Sequence, residues 1–78
     1  MLTKYIQEAM KLAKYKILED DTFYGNIPGF HGVFANADTL EECRERLQEV
    51  LEEWILLGVK LGHELPAANG VRLVMETA

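Results

Sequence analysis

A long amphipathic helix with a defined starting point is the feature that most constrains this sequence. The tetrapeptide Thr39-Leu40-Glu41-Glu42 is a capping box, in which the threonine oxygen accepts the amide three residues later and the glutamate reaches back. Apolar residues then recur at helical spacing, namely Leu40, Cys43, Leu47, Val50, Leu51, Trp54 and Ile55. The pattern predicts a helix over residues 39–58, with Gly58 as the expected terminator and Gly62 as the alternative.

A shorter helix is predicted at the start of the chain, within residues 1–13. Its apolar residues fall three and four apart, namely Leu2, Tyr5, Ile6, Ala9, Met10 and Ala13. A helix of this length is marginal alone in water, so its apolar stripe must pack against another element. A sheet is the expected partner.

Strand signals fill the region between the two helices. Residues 15–18 and 23–27 are rich in aromatic and β-branched residues and predict a hairpin. Pro28-Gly29 suits a type II turn, and the apolar run 33–35 predicts a third strand. Together these segments predict a three-stranded meander over residues 14–35.

After an Asn69-Gly70 turn, alternating apolar residues predict a last strand within residues 70–76. The predicted fold is therefore one α+β domain over residues 1–78, in the order helix-β-β-β-helix-β. We expect two layers, with helices covering one face of a small, mainly antiparallel sheet. The last strand could instead pair in parallel through a right-handed crossover, and the strand order stays open.

Charge and length limit the classes of function. The 78 residues allow one hydrophobic core, and a formal net charge of −5 disfavours autonomous nucleic-acid binding while favouring a basic partner. No apolar stretch approaches the roughly 20 residues needed to cross a bilayer. The single cysteine and the lack of a leader pattern make the cytoplasm the expected location.

The residues that could carry catalysis have simpler structural explanations. His31 and His63 lie in separate predicted loops without metal-ligand spacing, and Cys43 falls on the apolar stripe of the long helix. The chain contains no serine, and the acidic run Glu19, Asp20 and Asp21 is expected to be a solvated hairpin turn. We therefore predict a non-enzymatic protein with no metal and no cofactor.

An interaction surface is the better functional candidate. In a sheet covered on one face, the aromatic residues of the other face remain exposed, and we assign Tyr24 and Phe34 to that face. Together with Glu19, Asp20 and Asp21 they form the predicted partner-binding set. An edge strand and an exposed aromatic face also predict a homo-oligomer, expected to be a dimer.

The ordered string of segments over residues 15–66 resembles the HicB family of antitoxins, specifically its short bacterial members. The resemblance is carried by the segments 15–20, 23–35, 38–43 and 51–54, whose letters are YKILED, FYGNIPGFHGVFA, DTLEEC and LEEW. It implies a partial RNase H-like βββαβ domain that binds and masks a HicA-type toxin, a small basic ribonuclease that degrades messenger RNA. Many members carry a C-terminal DNA-binding domain, which we do not expect here, and the predicted helix before the first strand is a second difference.

The leading hypothesis is therefore an antitoxin-like protein that neutralises a HicA-type toxin, without direct DNA binding. The alternative is an orphan oligomeric domain with a structural or regulatory role and no toxin partner. A residual metal-dependent nuclease ranks third.

Overall fold

The structure, a computed structural model, describes residues 2–72 as two helices and a three-stranded sheet. The elements in chain order are α1 (Leu2–Lys11), β1 (Lys14–Ile17), β2 (Phe23–Asn26), β3 (Phe34–Ala37) and α2 (Leu40–Leu61). The predicted α+β class and the order of the first five elements are confirmed. The predicted last strand of residues 70–76 lies, beyond Arg72, outside the described residues.

The sheet has the order β1-β2-β3, and both strand pairs are antiparallel. Tyr15 pairs with Gly25, and Gly25 with Ala35, so these three residues share one face because directly opposed residues point the same way. That face is covered by α2, with Gly25 and Ala35 buried. The opposite face, which we call the open face, consists of Lys14, Lys16, Tyr24, Asn26, Phe34 and Asn36.

Two consecutive tight turns connect β2 to β3. The amide of Phe30 donates to the Ile27 carbonyl at 3.1 Å, and Gly29 has a φ of 85°, which confirms the predicted Pro-Gly turn. The amide of Val33 then donates to the Phe30 carbonyl at 3.1 Å. Because Val33 belongs to this second turn, β3 begins one residue later than the predicted run 33–35 and continues to Ala37.

The long helix starts as predicted and ends later than the first prediction. Thr39 is the N-cap, and its Oγ1 accepts the amide of Glu42 at 3.1 Å. The helix passes through Gly58 and ends at Gly62, whose φ of 73° is left-handed. Gly58 is buried, and a Cβ there would lie 2.7 Å from Leu65 Cδ2, so this glycine allows a close approach and does not terminate the helix.

The core lies between α2 and the covered face of the sheet, and α1 packs against α2 and not against the strands, so the predicted sheet partner of α1 is wrong. Its buried members are Tyr5, Ala9, Met10, Ile27, Phe30, Val33, Ala35, Leu47, Leu51, Ile55 and Ala68. The ring of Phe30 contacts Tyr5 and Trp54, with centroid distances of 6.1 and 5.3 Å. The Tyr5 hydroxyl donates to the Pro66 carbonyl, which ties α1 to the segment after α2.

The segment after α2 folds back onto α1. Asn69 and Gly70 have positive φ values of 51° and 83°, and Ala68 and Val71 exchange both backbone hydrogen bonds across them. This is the predicted Asn-Gly turn, and its Asn69 amide group also donates to Glu8. Within residues 2–72, no helix is long and apolar enough to cross a membrane.

Candidate interaction surface

An aromatic pair occupies the centre of the open face. The rings of Tyr24 and Phe34 stack with a centroid distance of 6.3 Å and an angle of 25°. The side chain of Phe34 is 56% exposed, while Tyr24 is half-buried. Phe34 is therefore exposed to solvent as predicted, and its ring stacks on the half-buried ring of Tyr24.

The strand register explains why these two rings meet. Tyr24 is directly opposite Asn36, and Phe34 is directly opposite Asn26, so the aromatic residues are diagonal neighbours on adjacent strands. Long aromatic side chains can span this diagonal separation. On the other side of Tyr24, the Lys16 Nζ lies 5.4 Å from the ring centroid, which places a positive charge beside the pair.

The acidic residues cluster at the tip of the hairpin between β1 and β2. The Asp20 carboxylate accepts the Thr22 hydroxyl at 2.6 Å and the Thr22 amide at 3.1 Å. These hydrogen bonds stabilise the charged form and hold the pKa of Asp20 below its ordinary value. Glu19 and Asp21 are exposed, and Asp21 adopts a left-handed φ of 65°. The tip is thus a hydrogen-bonded acidic turn.

One asparagine connects the acidic tip to the open face. The Asn36 side-chain amide donates to the Thr22 hydroxyl at 2.9 Å and to the Phe23 carbonyl at 2.9 Å. Tyr24 and Phe34 therefore lie at the centre of the open face, and the turn that contains Glu19, Asp20 and Asp21 is connected to one end of it through Thr22. An apolar centre with a charged rim is the usual anatomy of a protein interface.

The other candidate residues have structural positions. Cys43 is fully buried with its Sγ 3.7 Å from the Ala35 carbonyl, and burial raises the pKa of its thiol. His31 is exposed in the turn before β3, and its carbonyl accepts the Trp54 indole N–H at 3.0 Å. His63 is exposed directly after the Gly62 cap. The described residues include no group of three or more His, Cys, Asp or Glu that could hold a metal ion.

Two features escaped the sequence analysis. Leu56, Leu57 and Leu61 are 70%, 56% and 58% exposed on the last turns of α2. A recess of about 730 Å³ lies between α1 and α2, lined by residues that include Ile6, Met10 and Leu40. The leucines were detectable, because the apolar run 54–57 is wider than one helical stripe can bury. The recess depends on how the helices pack.

The fold is a small α+β domain, in which α2 covers one face of a three-stranded antiparallel sheet and the aromatic pair lies on the other face. The UPF0150-like family model matches residues 4–66, and the chain belongs to that family. It is similar to the crystal structure of TTHA0281 from Thermus thermophilus, with 38% sequence identity and a TM-score of 0.91. The similarity covers 97% of this chain and 95% of that one, so it extends over α1. No curated protein matches the sequence.

Proposed function

We propose that this chain is a non-enzymatic, antitoxin-like protein that binds and occludes a small basic ribonuclease of the HicA type. The observation that carries the proposal is the stacked Tyr24–Phe34 pair, whose outer ring is more than half exposed at the centre of the open face. Exposed aromatic residues with a charged rim are typical anchors of protein interfaces. The proposed mechanism needs no metal or cofactor.

Two further observations support a basic protein as the partner. The UPF0150-like family groups small toxin–antitoxin-like proteins. The chain carries a formal charge of −5, and Asn36 on the open face donates a hydrogen bond to Thr22, next to the acidic tip. Long-range attraction steers a basic partner toward an acidic protein, whereas it repels a phosphate backbone. The cytoplasm, where messenger RNA is accessible, remains the proposed location.

The test is reconstitution with a small basic protein of the HicA type, sought first among the proteins encoded beside this chain. We expect a stable complex in size-exclusion chromatography and protection of a messenger RNA transcript from cleavage by that protein. Substitution Phe34→Glu should weaken the complex by more than about tenfold, because it replaces a central aromatic anchor with a charge. Surface plasmon resonance measures this loss.

Ile17→Glu is the matched control. Ile17 is 64% exposed, as accessible as Phe34, but it belongs to the covered face of the sheet by its pairing with Phe23. We expect this variant to bind with unchanged affinity. Equal losses of affinity in Phe34→Glu and Ile17→Glu would show that the interface is not on the open face. Transcript cleavage that continues in the presence of the wild-type chain would refute the proposed function.

An orphan oligomeric domain without a toxin is the second candidate. Leu57 and Leu61, one turn apart at the end of α2 and 56% and 58% exposed, favour it, because neighbouring exposed apolar side chains are a common sign of association. If the neighbouring protein does not bind and the chain self-associates, this candidate replaces the first.

A further inference from the structure

The recess between α1 and α2 has an apolar floor. Its volume of about 730 Å³ lies within the range of roughly 300–1,000 Å³ that is typical of small-molecule sites. The floor is formed by Ile6, Met10 and Ala13 on the side of α1 and by Leu40 on the side of α2. Leu40 is 47% exposed, and Ile6 and Ala13 are half-buried, so part of this floor faces solvent. An apolar chain that covered the floor would remove this surface from water.

The recess has two distinct ends, because α1 and α2 run in opposite directions along it. Tyr5 of α1 contacts Phe30, and Phe30 contacts Trp54, so the first half of α1 lies beside the second half of α2. The end of α1 therefore lies beside the start of α2. Arg44 lines the recess at this end, and Glu52 lines it at the other.

A free positive charge is present at the Arg44 end. The Arg44 side chain is exposed and takes part in no ion pair within residues 2–72. Lys11, which also lines the recess, is already paired with Glu8 at 2.8 Å. Burial raises the pKa of the Tyr15 hydroxyl, and the charge of Arg44 acts in the opposite direction, so these two groups lie close together. Arg44 and Tyr15 can therefore donate hydrogen bonds to one anionic group.

The Glu52 end disfavours a second anion and sets the length of the recess. Gln48 donates to Glu52 Oε2 at 3.1 Å, which holds this carboxylate at the wall. The helix from Arg44 to Glu52 is about 12 Å long at 1.5 Å per residue. A saturated chain advances about 1.25 Å per carbon, so about ten carbons span this length.

We propose that the recess between α1 and α2 binds a medium-chain fatty acid, with its carboxylate at Arg44 and Tyr15 and its alkyl chain along the apolar floor. The guanidinium favours a carboxylate over a neutral or cationic head group, and the floor favours an alkyl chain over a short polar anion. The recess is separate from the open face, so this inference does not rest on the proposed function.

Isothermal titration calorimetry of the full chain with fatty acids of increasing length tests the proposal, at concentrations below those at which they form micelles. We expect saturable binding of one decanoate per chain. Decanoate should bind about fivefold more tightly than octanoate, because two more methylene groups cover the floor. Dodecanoate should gain little more, since its tail extends beyond the Glu52 end. Decyltrimethylammonium, which has a tail of the same length as decanoate and a positive head group, should bind at least about tenfold more weakly.

Arg44→Gln and Arg46→Gln separate the recess from the general charge of the chain. Arg44→Gln should weaken decanoate binding by about fivefold, because it removes an ion pair at a solvent-exposed position. Arg46 is exposed on the same helix but does not line the recess. Arg46→Gln changes the net charge by the same amount and should leave the affinity for decanoate unchanged.

Leu40→Glu and Leu57→Glu provide a second matched pair. Leu40→Glu places a carboxylate one helical turn before Arg44, where it competes with the fatty acid for the guanidinium, and should weaken binding by more than about tenfold. An acidic residue in the first turn of a helix is favourable, so this variant should fold, as circular dichroism can verify. Leu57 is 56% exposed on the same helix and lies outside the recess, so Leu57→Glu should leave the affinity unchanged.

NMR chemical-shift changes of the backbone amides locate the bound fatty acid. Changes at the residues that line the recess, with a loss of affinity in Arg44→Gln and not in Arg46→Gln, support the proposal. The absence of saturable decanoate binding overturns it, as do equal losses in the two arginine variants. An affinity that is independent of chain length, or equal binding of decyltrimethylammonium, also overturns it. Changes centred on Tyr24 and Phe34 would place the alkyl chain on the open face and overturn the assignment to the recess.

Discussion

At the scale of single residues, the acidic tip is organised by one hydroxyl. The Thr22 hydroxyl donates to Asp20 and accepts the side-chain amide of Asn36, so it joins the hairpin tip to the open face. Glu19, Asp20 and Asp21 are all exposed, as expected of a solvated turn. The hydrogen bonds from Thr22 additionally fix the position of the Asp20 carboxylate within the turn.

The pKa of Asp20 reports this arrangement. The folded value lies below the ordinary 3.8, so the contribution of Asp20 to stability is complete above that pH and is lost as pH falls through the folded pKa. Thr22→Val removes the hydroxyl donor and should raise the pKa of Asp20 toward 3.8, as measured by NMR titration of its carboxyl carbon. Thr22→Ser keeps the donor and should leave the pKa low. An unchanged pKa in Thr22→Val would assign the shift to another cause.

At the scale of secondary-structure elements, glycine positions decide how closely the layers pack. A Cβ on Gly25 in β2 would lie 2.8 Å from the ring of Tyr15 in β1 and 3.2 Å from the Cys43 thiol in α2. The ring of Tyr15 covers the glycine from the neighbouring strand, and burial raises the pKa of its hydroxyl. The approach of β1 and α2 to β2 therefore requires a residue without a side chain.

Gly25→Ala tests this packing. The added methyl group must displace the Tyr15 ring or the helix, so we expect the free energy of unfolding to fall by about 1–3 kcal/mol, measured by urea denaturation. In a Tyr15→Ala background the same substitution should cost less, because the closest clash is removed. Equal costs in the two backgrounds would show that Tyr15 does not limit the approach.

At the scale of the whole molecule, the two candidate surfaces lie on different layers. The open face belongs to the sheet, whereas the exposed leucines Leu56, Leu57 and Leu61 lie at the end of α2. The helix layer is acidic, since α2 contains six glutamates against two arginines and one lysine.

Independence of the two surfaces is the prediction at this scale. Phe34→Glu should weaken binding of the proposed basic partner by more than about tenfold, because it changes the open face. Leu57→Glu should leave this affinity unchanged, because Leu57 is exposed on α2 and not on the open face. Calorimetric titration of both variants measures this, and loss of partner binding in Leu57→Glu would show that the surfaces are one.

Most of the elements followed from the sequence because their signals are local. Helical periodicity placed α1 and α2, and the Thr39 cap fixed the start of α2 within one residue. Pro28-Gly29 and Asn69-Gly70 identified their turns, because few residues adopt the required φ values. Strand alternation separated Tyr24 from Gly25 and so placed Tyr24 and Phe34 on the exposed side.

Only the tertiary structure decided the features that depend on distant contacts. Two glycines could each end α2. Gly58 lies inside the helix, where Leu65 packs closely against it, and Gly62 forms the C-cap. The stacking of Tyr24 on Phe34 depends on the β2–β3 register, and the link from Asn36 to the acidic tip joins residues 14 positions apart. The sequence by itself determined which residues form each element and which face of each element is apolar, since these depend on neighbours along the chain. The structure decided which surfaces stay uncovered, because burial depends on every element at once.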